Sequence, residues 1–255
     1  MKILLTNDDG IHAPGLAAMA IALQRLGEVT VVAPATEQSG VGHAITFQTP
    51  LTTKRTRIND MLTGYALRGT PADCVKIGIT QIFVERPDLI VSGINGGLNA
   101  GLNVIYSGTV AAAVEGAFYG IDSIAVSLEY SEYDAFTAAA AIAANVIEKL
   151  VTNKTSPSRL YNLNIPVAAT INPQPEVKVV PMDITQYWET FEKRIDPLGR
   201  PYYWLTGRPD PRQPKPQVQP DTLTDLKALN SGFVTVTPLQ YDMTDHANLN
   251  SIKIS

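Results

Sequence analysis

The chain opens with MKILLTNDDG (residues 1–10), and this stretch decides the predicted fold. Its short apolar run stops abruptly at a polar turn, which is typical of a buried parallel strand that meets a loop at its carboxyl end. Ligands of open α/β sheets bind outside that end, and two adjacent carboxylates there can hold a hard divalent cation. Asp8 and Asp9 are therefore candidate metal ligands. The alternative is that Asp9 or Asn7 only caps the following helix, and this stretch alone leaves both interpretations open.

The next part of the chain, as far as Pro166, alternates between predicted strands and predicted helices. After the opening strand, further strands are expected at 29–32, 89–91, 124–128 and 161–165. Helices are expected at 16–26, 69–83, 110–119 and 133–151, and a hairpin within 45–65. Strands and helices in alternation predict a three-layer α/β fold around a parallel sheet.

Beyond Pro166 the pattern changes, and we assign residues 1–180 to the core and 181–255 to an extension. The extension comprises an aromatic hairpin (187–207), a proline-rich loop (208–221), a short helix (221–229), a final strand (232–239) and a polar tail. Because an isolated hairpin cannot bury both of its faces, this one is expected to pack against another subunit. Stacking of its aromatic side chains on a nucleobase is the alternative.

Composition excludes several classes of protein. The net charge is −4 and no long basic run occurs, which argues against nucleic-acid binding. The single cysteine, Cys74, rules out an intramolecular disulfide and is expected to be a core thiol on a helix. No apolar stretch reaches the ~20 residues of a membrane span, and the apolar run near Met1 is too short for a signal peptide. The cytoplasm is the expected compartment.

Polar residues follow the predicted strands at one edge of the sheet. All of them supply oxygen ligands, which favour Mg²⁺ or Mn²⁺, with Ca²⁺ as a further candidate. They are Asp8, Asp9, Ser39, Asn95 and the turn Ser107-Gly108-Thr109. The turn precedes a helix, whose free N–H groups can bind a phosphate. The alternative for this turn is a Ser/Thr helix cap with nothing bound.

Five motifs, in this order, closely resemble the SurE family of survival proteins, which are 5'/3'-nucleotidases that act on nucleoside monophosphates. The motifs are TNDDGIHAPG (6–15), PATEQSGVGHAIT (34–46), GTPADCVKIG (69–78), PDLIVSGINGGLNAG (87–101) and YSGTVAAAVEGAFYG (106–120). The resemblance implies a Rossmann-like core and a divalent-metal site, with exopolyphosphatase activity in some members. On matching positions, the implied metal ligands are Asp8, Asp9, Ser39 and Asn95. The resemblance also implies homodimers or homotetramers that exchange a hairpin and a C-terminal segment.

The leading hypothesis is metal-assisted hydrolysis of a phosphomonoester, with Asp8 and Asp9 as the catalytic residues. One of them would orient or deprotonate the attacking water, or would attack phosphorus itself. His43 either touches phosphate or nucleobase, or is a solvated or hydrogen-bonded residue of its loop. Asp242 and His246 either brace loops or assist proton transfer.

Two other classes of protein with acids after the first strand fit this sequence less well. A haloacid-dehalogenase phosphatase needs an Asp-x-Asp arrangement, whereas Asp8 and Asp9 are adjacent. A receiver-type signalling domain needs an acceptor aspartate after its third strand, where this chain has Ser92, Gly93 and Asn95. A non-catalytic sensor of nucleotide and metal stays open as the alternative to a nucleotidase.

Overall fold

A computed structural model describes residues 1–131, 135–152, 159–185, 189–209 and 222–251. The strands in these residues are β1 (Lys2–Thr6), β2 (Glu28–Pro34), β3 (Thr53–Arg57), β4 (Thr63–Leu67), β5 (Leu89–Gly96), β6 (Asp122–Leu128), β7 (Leu160–Ile165), β8 (Val177–Val179), β9 (Glu189–Ile195), β10 (Pro201–Pro209) and β11 (Val234–Pro238). The α-helices are α1 (Pro14–Leu23), α2 (Pro71–Ile77), α3 (Gly108–Phe118), α4 (Phe136–Thr152), α5 (Val167–Thr170) and α6 (Asp225–Asn230). A π-helical turn (Gly78–Ile82) and two 3-10 helices (Gly101–Ile105, Leu249–Ser251) complete the set.

The central sheet has nine strands in the order β3-β4-β2-β1-β5-β6-β7-β11-β8. The six strands from β4 to β7 are parallel to their neighbours. β3 is antiparallel to β4, and β11 is antiparallel to β7. The predicted mostly parallel sheet is therefore confirmed, and β1 lies near its middle with its carboxyl end at the predicted ligand-binding edge.

Successive side chains of β1 point to opposite faces of the sheet, and each face has its own hydrophobic cluster. Ile3 and Leu5 pack on one face of the sheet in a cluster that includes residues of α1 and α4. Leu4 points to the opposite face, where it joins Cys74 and Val75 of α2. All three β1 side chains are fully buried, as expected when successive residues of a central strand face opposite helical layers. The three-layer α/β fold is confirmed, and Cys74 is a core thiol.

Two helices have ends that differ from the predicted ones. The first begins at Pro14, whose missing N–H is tolerated at that position, and it ends at Leu23 rather than at residue 26. The helix expected at 69–83 is α2 followed by the π-helical turn. Thr70 is the N-cap of α2 and forms a capping box with Asp73.

Strand β5 is longer than predicted. We expected a strand that ended near Val91, followed by a loop, but β5 continues to Gly96 and carries Asn95 within the strand. One extra residue lies between Ser92 and Asn95 relative to β6. Gly93 permits this bulge because its φ is +137° and a Cβ there would lie 2.2 Å from the carbonyl oxygen of Val126.

The C-terminal segment contributes to two sheets. Strands β9 and β10 form the predicted antiparallel hairpin. β11 joins the central sheet, between β7 and β8. The expected short helix is α6, which begins at Asp225 rather than at residue 221. Tyr187, Trp188 and most of the proline-rich stretch lie outside the described residues. In the part of the chain that is described, no helix combines the length and apolar character needed to cross a membrane.

Candidate active site

Asp8 lies at the junction of three segments that follow β1, β2 and β5. Its carboxylate accepts hydrogen bonds from the hydroxyl and the backbone N–H of Thr109, at the first turn of α3. Its backbone carbonyl accepts from the N–H of Gln38 at 2.8 Å. The side chain is only 4% exposed. Burial raises the pKa of Asp8, although the hydrogen bonds from Thr109 oppose this shift.

Asp9 faces the end of β5. The N–H of Gly96 lies 3.4 Å from its Oδ2 atom. Burial, together with the charges of Asp8 and Glu37, raises the pKa of Asp9 from 3.8 to about 6. Neither Asp9 nor Asn7 caps the first helix, because α1 starts at Pro14 without a side-chain cap. The capping alternative for this stretch is therefore wrong.

Ser39 and Asn95 are each next in sequence to a residue that contacts one of the two aspartates. Ser39 follows Gln38, whose N–H binds the carbonyl of Asp8. Its hydroxyl donates to Glu37 Oε1 at 2.7 Å. Asn95 precedes Gly96 and donates its side-chain N–H to the carbonyl of Gly97 at 2.6 Å. Its Oδ1 atom is not used in that contact, and its role as a metal ligand stays a prediction.

The turn Ser107-Gly108-Thr109 starts helix α3 directly beside Asp8. Ser107 is the N-cap, and its hydroxyl accepts from the N–H of Val110 at 3.1 Å. Gly108 is required here, since a Cβ atom would lie 2.9 Å from Cβ of Asp8. The capping interpretation of Ser107 is thus realised, and phosphate binding by the turn stays a prediction.

The donor set fits a hard cation. Burial raises the pKa of both carboxylates, and the charge of Asp8 raises that of Asp9 further, so a bound cation would offset the cost of keeping both ionised. Among the described residues, the buried Oδ1 atom of Asn7 has no hydrogen-bond partner. No group of three or more His, Cys, Asp or Glu side chains that could hold a metal occurs in the described chain. A cation here would therefore be held by two acids together with neutral oxygen ligands.

The accessory residues lie in two different places. His43 binds the buried Glu115, with 2.9 Å between Nε2 and Oε2, which agrees with the hydrogen-bonded-loop alternative. Asp242 and His246 contact each other at 2.6 Å on the exposed C-terminal segment. That contact lowers the pKa of Asp242 to about 2. The pair braces its own segment through this contact and through the N–H of Thr244, which donates to Asp242.

Sequence reasoning missed residues that support the site. Asn99 is buried and donates its side-chain N–H to Ser127 at 2.9 Å, while its backbone binds Asn162 and Asn164 of β7. This network fixes the segment that leads from β5 toward Ser107. Two asparagines that alternate within an apolar strand, as in YNLNI, are a signal that could have indicated it, because buried amides need partners.

The sequence of this chain is similar to a known protein family and to several of its members. A sequence model of the family described as survival protein SurE matches residues 3–193. The chain belongs to the SurE family. A protein named 5'-nucleotidase SurE from Rhodopirellula baltica is 55% identical over 255 residues, covering 99% of this chain and 98% of the relative. A second protein of that name, from Thermoanaerobacter sp., is 40% identical and covers 98% of this chain and 96% of its own.

A solved structure supports the same fold. The crystal structure of the SurE protein from Aquifex aeolicus matches with a TM-score of 0.81 and 38% identity. The match covers 99% of this chain and 98% of that one. The SurE fold therefore accounts for the whole architecture described above, including the antiparallel C-terminal hairpin.

Replacing Thr109 tests its contact with Asp8. Thr109→Val removes the hydroxyl that donates to the buried carboxylate and should lower kcat/KM for a phosphomonoester by about 10- to 100-fold, since a hydrogen bond to a charged group contributes about 1.5–3 kcal/mol. Thr109→Ser keeps the hydroxyl and serves as the matched control, with a rate near that of wild type. Steady-state kinetics of the three proteins measure the difference. Equal losses in both variants would contradict a role for the hydroxyl.

Proposed function

We propose that this SurE-family chain is a divalent-metal-dependent nucleotidase that hydrolyses nucleoside 5'- or 3'-monophosphates to nucleoside and phosphate. The supporting observation is the contact between the Asp8 carboxylate and the first turn of α3, with Asp9 alongside. This arrangement places two acids and a helix N-terminus at the carboxyl edge of a parallel sheet, where phosphorylated ligands bind in such folds. The printed names of the relatives, 5'-nucleotidase SurE, favour the same reaction.

The proposed metal ligands are Asp8, Asp9, Ser39 and Asn95, and the proposed metal is Mg²⁺ or Mn²⁺. When bound, such a cation lowers the pKa of a water ligand and offsets the charge of phosphoryl oxygens. Asp8 is held in place by Thr109, which suits a fixed ligand. Asp9 is more exposed than Asp8, which suits the acid that orients or deprotonates the attacking water.

The proposed phosphate site is the turn Ser107-Gly108-Thr109. Amides at a helix start can bind the oxygens of a phosphoryl group, and the helix dipole favours their negative charge. Because Thr109 already donates to Asp8, the turn would hold the substrate phosphate next to the aspartates rather than apart from them. The two carboxylates and the phosphoryl group then repel one another unless a cation lies between them, which is why the proposal includes a metal.

A phosphate-release assay tests the proposal. Purified protein would be incubated with a panel of 5'- and 3'-nucleoside monophosphates and short polyphosphate, with Mn²⁺, with Mg²⁺ and with EDTA. We expect release of phosphate from nucleoside monophosphates with Mn²⁺ or Mg²⁺ and a fall to background with EDTA. Binding of nucleotide without phosphate release would instead support the sensor, and undiminished release in EDTA would contradict the metal.

The second element of the proposal is a homodimer or homotetramer formed through the β9–β10 hairpin. The two strands pair with each other, and large apolar side chains on them are exposed to solvent. These side chains are Phe191, Ile195, Tyr203, Trp204 and Leu205. A two-stranded hairpin with an exposed apolar face gains stability by packing against another surface, and a second copy of the chain is the proposed surface.

A further inference from the structure

The loop that carries Ser39 has no regular structure, yet it is attached at several points. It joins β2 to β3, and we call residues 38–46 the Ser39 loop. The N–H of Gly42 donates to the carbonyl of Tyr106 at 3.0 Å. The carbonyl of Ala44 accepts from the hydroxyl of Thr70 at 2.7 Å, and the N–H of Thr46 donates to the carboxylate of Asp73. These contacts tie the Ser39 loop to the starts of α2 and α3.

A buried charged residue of α3, Glu115, also contacts the Ser39 loop. It is the single charged residue in the helix sequence GTVAAAVEGAF, and it is 2% exposed. Its two carboxylate oxygens bind His43 Nε2 at 2.9 Å and Lys76 Nζ at 2.7 Å. Burial raises the pKa of Glu115, but these two hydrogen bonds outweigh burial and hold the pKa below its ordinary value. Glu115 therefore favours its charged form and holds both His43 and Lys76.

The ring of His43 is fixed on a second side. It stacks on Phe118, with 5.3 Å between the ring centroids and 17° between the planes. Phe118 is one turn after Glu115 on the same face of α3. A hydrogen bond and a stacking contact together leave the imidazole little rotational freedom, so the position of His43 is set by α3.

Helix α3 thus contacts both Asp8 and the loop that carries Ser39. Thr109 at its first turn holds Asp8, and Glu115, six residues or about 9 Å further along the axis, holds His43. His43 is four residues after Ser39. We propose that the His43–Glu115 contact positions Ser39 relative to Asp8 and Asp9, so that His43 and Glu115 are positioning residues for the metal site. This inference rests on the proposed function.

The two partners of Glu115 supply an internal control. Lys76 belongs to α2 and connects two helices, whereas His43 belongs to the Ser39 loop. Removal of either partner leaves Glu115 with one hydrogen bond, and removal of Lys76 also takes away a permanent positive charge, so Lys76→Met is the more severe change for Glu115 itself. Of the two substitutions, only removal of His43 breaks a contact of the loop that carries Ser39. The proposal therefore expects metal binding to depend on His43 and not on Lys76.

The test compares His43→Ala, His43→Gln and Lys76→Met with wild-type protein. Calorimetric titration with Mn²⁺ measures affinity, and hydrogen exchange measures the opening of residues 39–46 without metal. We expect His43→Ala to weaken Mn²⁺ binding about tenfold and to speed exchange in the loop, since outer contacts of metal ligands typically contribute such factors. Gln can place an N–H near the position of Nε2, and His43→Gln should recover most of the affinity. Lys76→Met should bind Mn²⁺ within about twofold of wild type.

Three results would overturn the inference. The first is wild-type Mn²⁺ affinity in His43→Ala, and the second is an equal loss in His43→Ala and Lys76→Met, which would indicate a general effect on α3. In both cases the proposed metal dependence would stand, because wild-type protein still binds the ion. The third is a wild-type protein that binds neither Mn²⁺ nor Mg²⁺, which would overturn the proposed function and this inference with it.

Discussion

The Asp9→Asn variant is expected to lose nearly all phosphatase activity. The substitution keeps the shape of the side chain but removes the charge that would hold the cation and the group that would accept a proton from water. We expect kcat to fall on the order of 10³-fold, within the range found when a general base is removed. Asp8→Asn should cost a similar factor, because it removes the second charge of the proposed metal site and changes the group that accepts from Thr109.

Without metal, the same Asp9→Asn variant is expected to be more stable than wild type near neutral pH. Burial and the charge of Asp8 raise the folded-state pKa of Asp9 to about 6, above the ordinary value of 3.8. A group shifted upward favours the folded state fully below its ordinary pKa, and this contribution is lost as the pH rises through 6. Because Asp9 is partly exposed and water screens its charge, the gain from its neutralisation is about 1–2 kcal/mol.

Thermal melts in EDTA across the range from about pH 4 to pH 8 measure this effect. The melting temperature of wild type should fall through that interval, and the curve of Asp9→Asn should be flatter. Asp60→Asn makes the same chemical change at an exposed residue paired with Arg57, and it should follow wild type. Mn²⁺ should raise the melting temperature of wild type and not of Asp9→Asn. Wild-type kcat in the variant would show that Asp9 is not in a metal site, and identical melting curves in EDTA would show that folding does not raise its pKa.

The Gly93→Ala variant is expected to lose about 3 kcal/mol or more of unfolding free energy. A Cβ atom at this position would lie 2.2 Å from the carbonyl oxygen of Val126, and the backbone φ of +137° is strained for any side chain. Either β5 and β6 must separate or the bulge must change. Asn95 follows the bulge, so the Gly93→Ala protein that still folds should also bind Mn²⁺ more weakly.

Gly96→Ala is the matched control in the same strand. Its nearest atom to a Cβ would be Cζ of Phe136, at an ordinary contact distance of 3.7 Å. We expect a change below about 1 kcal/mol for this control. Urea unfolding of both variants measures the difference, and a Gly93→Ala protein as stable as Gly96→Ala would show that the close approach is relieved without cost.

The fold was largely predictable because its strands are buried on both faces. The run at Ile3–Leu5 and the apolar strands at 89–91 and 124–128 have no other plausible environment in a chain of this length. The end of β5 was not predictable, since Ser92-Gly93-Ile94-Asn95-Gly96 has the composition of a loop. Its strand pairing comes from β6, a contact that local sequence does not reveal.

The sequence predicted which segments meet at the candidate site. It did not predict which side chains contact one another there. The acids and the turn at 107–109 follow strands whose carboxyl ends must meet at one edge. Glu115 could not be assigned a partner in advance, although a lone acid among alanines and glycines signals a buried ion pair. His43 and Lys76, its partners, come from two other elements, and only the packing of α2 on α3 brings them together.

The place of β11 in the sheet affects how the chain folds during synthesis. All proposed site residues up to Glu115 leave the ribosome long before residues 234–238, which cover the open edge of β7. Until then, the nascent chain presents a complete candidate site beside an unpaired strand edge, which is an aggregation hazard. A fragment that ends near residue 180 would contain the proposed metal ligands and the turn at 107–109 and would leave this edge of β7 unpaired.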